Sequence, residues 1–429
     1  MTATQRSGSP RRHIAAYAAA TGTVTATLLL AALLAGLAST GFDAPATFQG
    51  WVHDYGHVPS FLTWILSDTT DAQFYKSTLG GLLMLLGGAL AHWAYLRGRR
   101  WRGFDICCGL GVWPWMTASA LLGVVFGNLV WGWVIPATGT WQPTFVSFVS
   151  LSPVVVLMYG TGWPVALTGA ALGGLLTTPV ALLVFDTVCV PLGLSGMVAA
   201  TTGMWVSALA GLAICRVLPW IPGRTPGEQV PAGEGPLPGS PAAVSATAVT
   251  PGSPSPPPSP GTPEPGVGHG YGPVWTLRRI LADFTEAPFN GNELASAGLL
   301  AGVLLGHLLD PALSVYGSGL LFHVLAAQLL SAAIGVTLWR GRWIRLGWYP
   351  TFIPIVSIAP ATVLTYGGTA QSVVAGAVLG ALIGPPLGAV LARRVPKYCH
   401  PFTGYVMAMT ICGVTIVPGL GLIPGFNGG

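Results

Sequence analysis

The chain has 429 residues, of which 52% are hydrophobic and only 7% charged, with a formal net charge of +5. This composition argues against a soluble enzyme built round one core. It also argues against a nucleic-acid face, because the basic residues form small clusters between uncharged apolar runs. Several of those runs reach the roughly 20 residues that cross a bilayer core of about 30 Å, so the sequence predicts an all-α, polytopic membrane protein.

Residues 1–57 open the chain. Arg11 and Arg12 precede an apolar stretch from Ile14 to Leu37. That stretch is longer than the roughly 7 to 15 residues of a signal-peptide core, which predicts an uncleaved anchor helix near 14–38. At 53–57, "HDYGH" places His53 and His57 four apart beside Asp54. On a helix that spacing suits a divalent metal, whereas Gly56 points to a loop. The cysteines (Cys107, Cys108, Cys189, Cys215, Cys399 and Cys412) form no CxxC pair, so no metal, disulfide framework or cofactor is expected.

From residue 58 the chain is written twice. "LTWILSDTTDAQF" at 62–74 falls on "LRRILADFTEAPF" at 277–289, and the match runs to His92 over His307 with 12 of 31 positions identical. "WQPTF" at 141–145 returns as "WYPTF" at 348–352, and that match runs to Pro179 over Pro386 with 17 of 39 identical. Apolar composition alone would not align Trp, Pro, Thr, Tyr and Gly together. The chain therefore divides into repeat 1 (58–220), a Pro/Gly/Ser-rich tract (221–272) and repeat 2 (273–429). The tract is too poor in apolar residues to offset its ordering entropy and reads as a disordered cytoplasmic tether.

Predicted spans fall at 14–38, then 78–96, 113–136, 143–160, 164–185 and 194–215. They continue at 293–309, 317–339, 350–367, 371–392 and 402–424. That makes about 11 transmembrane helices, one anchor plus five and five. With the N-terminus in the cytoplasm, 17 of the 18 Lys and Arg residues fall inside and Lys76 alone falls outside, as the positive-inside rule asks. An odd number of spans per repeat inverts the second copy, which predicts an inverted-topology pair with broken helices in the plasma membrane and an extracytoplasmic C-terminus.

Candidate functional residues lie where the copies agree. In the W-x-P-T-F element, proline removes a backbone donor near Thr144, Ser147, Ser150 and Pro153, and again near Thr351, Ser357 and Pro360, each copy ending in a tyrosine, Tyr159 or Tyr366. Freed carbonyls and hydroxyls there would line a substrate pathway. Alternatively, the prolines simply start helices and the hydroxyls bond back to their own turns. The carboxylates Asp68, Asp71, Asp283 and Glu286 form the most regular acidic set, read either as helix caps near an interfacial helix or as a re-entrant gate. His92 and His307 are proton-relay or headgroup-anchoring residues. His323, Asn128 and Gln328 lack a partner in the other copy.

The tandem arrangement, carried by "ILSDTTDAQF", "ILADFTEAPF" and the W-x-P segments, resembles a bacterial family of two-repeat integral membrane proteins known as a domain of unknown function. That resemblance implies a duplicated membrane fold without an activity. "DAQFYKSTLGGLLMLLGG" at 71–88 is similar to the segment preceding an early span of urea transporters, which are also five-plus-five proteins. The asparagine-glycine segment expected downstream is missing, so urea is not carried over as substrate.

No Asp, Glu, Lys or Arg falls inside the middle of these predicted spans, which tilts the functional reading toward a carrier or facilitative channel for a small neutral or anionic solute. The expected partners are the lipid bilayer and a small-molecule or ion substrate, with no nucleic acid, and a homo-oligomer is left open. The alternatives are a membrane-embedded enzyme or lipid-handling protein using Asp68, Asp283 and the histidines, or a scaffold acting through its proline-rich tether.

Overall fold

A computed structural model of the chain describes residues 47–105, 112–222 and 271–426. The predicted anchor near 14–38, Cys107, Cys108 and nearly all of the tether lie outside these residues. The described residues are helical throughout and contain no strand.

After a short helix α1 (Phe48–His53), α2 (Val58–Asp68) leads into a tight loop and then α3 (Thr78–Leu96). Ser77 starts α3 by accepting a hydrogen bond from the Gly80 N–H at 3.1 Å. α4 (Trp113–Trp131) follows, then a 3₁₀ turn (Thr144–Ser147) that runs into α5 (Leu151–Tyr159). α6 (Trp163–Leu192) is one long helix that passes through π turns at Gly173–Thr177 and Phe185–Cys189. Each π turn lies just ahead of a proline, Pro179 or Pro191, whose missing N–H loosens the helical ladder. α7 (Gly196–Cys215) closes the first half.

The second half follows the same order: α8 (Pro273–Ala282), α9 (Glu293–Leu309), α10 (Leu321–Leu338), a 3₁₀ turn (Ile353–Val356) into α11 (Ile358–Tyr366), then α12 (Ala370–Ala392) and α13 (Phe402–Leu420).

Seven of the described helices, α3, α4, α6, α7, α10, α12 and α13, are long and apolar enough to cross a membrane. Three further apolar stretches, Thr144–Tyr159, Glu293–Leu309 and Ile353–Tyr366, are shorter. Two of these are short because the backbone leaves helical geometry at Ser150 (φ −130°, ψ −116°) and Ser357 (φ −148°, ψ −94°), one residue before α5 and α11. Apolar side chains such as Leu86, Leu90, Leu183 and Leu308 stand exposed on the outside of the bundle, as they do where lipid is the solvent.

The closest helix pairing is α3 against α9. A methyl group placed on Gly87, Gly298 or Gly302 would run into the backbone carbonyl oxygen of Leu294, Leu83 or Leu79 respectively. Residue numbers fall on one helix as they rise on the other, so the two run antiparallel. Glycine allows this backbone-to-backbone approach, which in lipid supplies the dispersion contact that hydrophobic driving force cannot. α7 and α13 also meet antiparallel, with the Thr410 hydroxyl donating to Thr201 Oγ1 at 2.8 Å and Gly413 against the Met197 side chain.

Candidate functional site

The loops that follow α2 and α8 turn inward. Asp68 is the last residue of α2, and Asp283 follows the last residue of α8, so both carboxylates sit at helix C-terminal ends. The dipole there repels a negative charge, so capping does not explain them, and a cation must. Phe74 (φ 67°) and Phe289 (φ 60°) occupy equivalent positions and both adopt the left-handed region, a strain of about 1–2 kcal/mol each that only a tightly determined loop maintains. The two loops meet at the centre. Gln73 Nε2 donates to the Phe284 carbonyl at 3.2 Å, and Gln328 Nε2 donates to the carbonyls of Gln73 (2.9 Å) and Ile355 (2.8 Å). Tyr75 OH donates to Gln328 Oε1 at 2.6 Å.

Each loop holds a buried charge cluster. In the first, Lys76 Nζ bonds Asp68 Oδ1 and lies 3.7 Å from Asp71 Oδ2, with all three side chains fully buried. Asp68 Oδ2 also accepts from Asn128 Nδ2 and Thr144 Oγ1, both at 2.9 Å. The Trp64 indole donates to Thr144 Oγ1 at 3.0 Å, while its ring lies 3.6 Å beneath the Lys76 ammonium. Asp71 accepts from Trp141 Nε1 at 3.1 Å and from Tyr316 OH, contributed by the second half, at 2.5 Å.

In the second cluster, Arg279 Nη2 reaches Asp283 Oδ1 at 2.7 Å and Glu286 Oε2 at 2.5 Å. Trp348 Nε1 donates to Glu286 Oε1 at 3.0 Å, and Trp343 Nε1 donates to Thr351 Oγ1 at 3.2 Å. The Arg279 guanidinium lies 4.9 Å from the Trp343 ring centroid. Two carboxylates and one cation leave each cluster with one surplus negative charge. Indole and tyrosine donors, which carry dipoles without a competing negative charge, hold that surplus out of water.

A cavity of about 40 Å³ lies between the halves. Its walls take the same positions from each copy: Ala72 and Ala287, Phe145 and Phe352, Val149 and Val356. Asp71, Trp141 and Tyr316 stand at one side, whereas Glu286 and Trp348 do not reach it.

The carboxylates Asp68, Asp71, Asp283 and Glu286 and the threonines Thr144 and Thr351 thus come together in two clusters. Ser147 is buried without a hydrogen-bond partner. The hydroxyls of Ser150 and Ser357 bond back to the carbonyls of Val146 and Ile353, which is the local alternative to pathway lining. Pro153 and Pro360 are buried in the first turns of α5 and α11. Tyr159 OH donates to the Leu212 carbonyl at 3.5 Å and Tyr366 OH to the Val417 carbonyl at 2.6 Å, tying each short helix to the last helix of its half.

His92 stacks on Trp113 at 5.4 Å, and His307 Nδ1 lies 2.6 Å from Ser314 Oγ. Both histidines make these contacts away from the carboxylates. His53 ends α1, and His57 lies 4.0 Å from Asp54 with both side chains exposed. Lys76 is fully buried, compensated by Asp68 and Asp71.

The chain matches no protein-family model, no curated protein and no solved structure.

From the sequence, Trp64 and Arg279 read as interfacial-helix residues and Lys76 as a topology signal, and none of these, nor Trp343, Tyr316 or the ring residues Trp141, Phe145, Trp348 and Phe352, is expected at the site. The last four are the aromatic letters of the repeated phrase itself, so its own spelling carried their signal. Lys76, Arg279, Trp64, Trp343 and Tyr316 have no like residue in the other copy and left none.

Proposed function

We propose that the chain is a plasma-membrane transport protein, a carrier or facilitative channel, in which repeats 1 and 2 stand inverted in the lipid and a small solute passes between them. The observation that supports this best is the contact pattern of α3 with α9. Leu83 touches Gly298, its own counterpart in the alignment, and the flanking contacts Leu79–Gly302 and Gly87–Leu294 exchange with each other under the same alignment. A two-fold rotation perpendicular to the helices generates such a pattern, and an axis in the membrane plane is the relation between inverted repeats. The cavity, walled by equivalent residues of both halves, fits a solute site at a repeat interface.

The surplus negative charge of each cluster weighs against an anion as the solute and leaves neutral or cationic molecules. In proteoliposomes, purified protein is expected to speed the flux of at least one member of a panel of small neutral and cationic solutes. Filling the cavity with Ala287→Phe should reduce that flux by about tenfold or more. Absence of flux for the whole panel, or full flux through Ala287→Phe, would remove this reading.

A further inference from the structure

We propose that the cavity between the halves binds a small alkylammonium ion, a positively charged nitrogen carrying one to three methyl groups, with the Asp71 carboxylate as its counter-charge. This rests on the transport reading and names its substrate class.

The charge argument comes first. Among the described residues that line the cavity, Asp71 alone carries a full charge, and none of them is basic. The nearest cation, Lys76, is bonded to Asp68 and seated on the Trp64 ring, so Asp71 keeps a share of the cluster's surplus negative charge facing the cavity. Trp141 Nε1 and Tyr316 OH donate one hydrogen bond to each carboxylate oxygen. They hold the group as an anion and orient it, while each oxygen retains a lone pair for a further donor.

The remaining surface selects the kind of cation. Apart from Asp71 and the hydroxyl of Thr201, the walls are aromatic, aliphatic and thioether groups, including Trp141, Tyr316, Phe145 and Phe352. Trp141 lies 5.5 Å from Tyr316 and 6.4 Å from Phe145, forming a continuous run of rings. A metal ion such as Na⁺ or Ca²⁺ would exchange its water shell for several oxygen ligands, and among the described lining side chains it finds one carboxylate and the hydroxyls of Thr201 and Tyr316, the latter already bonded to Asp71. A methylated ammonium is weakly hydrated, draws cation–π attraction from the rings and buries its methyl groups against them.

Size sets the limit. One water needs about 10–15 Å³ of such space, so the cavity's roughly 40 Å³ suits about three to four non-hydrogen atoms. Methylammonium, dimethylammonium and trimethylammonium fall within or at that range. Larger organic cations would require the halves to part.

Calorimetric titration of the purified full chain in detergent tests the proposal with trimethylammonium, its neutral near-isostere propan-2-ol, and acetate. We expect saturable binding of trimethylammonium, with propan-2-ol and acetate weaker by about tenfold or more. Asp71→Asn should lower trimethylammonium affinity to the level of propan-2-ol. Phe352→Leu, which leaves every charge in place, should lower it severalfold and keeps the test open if Asp71→Asn does not fold. Equal binding of trimethylammonium and propan-2-ol, no binding of any methylated ammonium, or unchanged affinity in both variants would overturn the proposal.

Flux of the mixed panel in liposomes separates the two claims. Flux of a neutral solute without ammonium binding sinks the substrate class and leaves transport standing. Ammonium binding without any flux does the reverse.

Discussion

Lys76 falls opposite Gly291 when the copies are aligned, and Arg279 falls opposite Trp64. One copy thus carries its indole before the carboxylates and its cation after them. The other carries its cation before them and takes its indole from Trp343, opposite Pro136. Both arrangements place a cation over an indole that donates to the element's threonine. An alignment sees three mismatches where the fold makes one interaction twice. Because Asp68 and Asp71 are fully buried, Lys76→Met would strand two carboxylates and is expected to cost about 3–5 kcal/mol of stability. Arg278→Met, at a pair whose side chains remain 28% and 11% exposed, should cost about 1 kcal/mol or less. Unfolding in mixed micelles measures both. Adding Asp68→Asn to Lys76→Met should recover part of the loss, and a neutral Lys76→Met would contradict the buried pairing.

At the scale of elements, the repeated phrase predicted interruption, and Ser150 and Ser357 do leave helical geometry at matched positions. The threonines of the phrase, however, turn to the clusters and Ser150 and Ser357 to their own backbone, while Phe145 and Phe352 face the cavity. Sequence could mark the break but could not orient the side chains around it, since orientation depends on the neighbouring helices.

The seam of α3 and α9 also depends on neighbours: which backbone Gly87, Gly298 or Gly302 admits is a property of the pairing. Gly302→Ala would force a methyl group into the Leu79 carbonyl, which cannot move aside as a flexible side chain does. It is expected to destabilise the protein by about 1–3 kcal/mol. Gly341→Ala, in an exposed helical turn with nothing near the added methyl, should stabilise it by up to about 1 kcal/mol. Thermal unfolding of the two variants side by side checks the contrast, and equal shifts would deny the close α3–α9 seam.

For the whole molecule, the proposed inversion of the halves makes a prediction about sidedness. Thr140 and Leu346 are exposed, and they flank the two copies of the W-x-P-T-F element. Single cysteines there, in a background with the native cysteines replaced by alanine, should react with an impermeant maleimide from opposite sides of the membrane. Labelling from one side only would show that the copies are parallel and would take the two-fold pathway with it.

Much of this architecture was determined by the sequence alone: a helical, lipid-compatible chain, a duplication, and acidic residues at matched places. Those features follow from composition and periodicity, which are local and additive along a chain. Tertiary structure alone decided that Lys76 and Arg279 are buried counter-ions, that Asn128, Gln328 and Tyr316 join the centre, and that Asp71 but not Glu286 meets the cavity. Charge burial is favourable only when partners from distant segments arrive together, and no stretch of sequence states which partners those are.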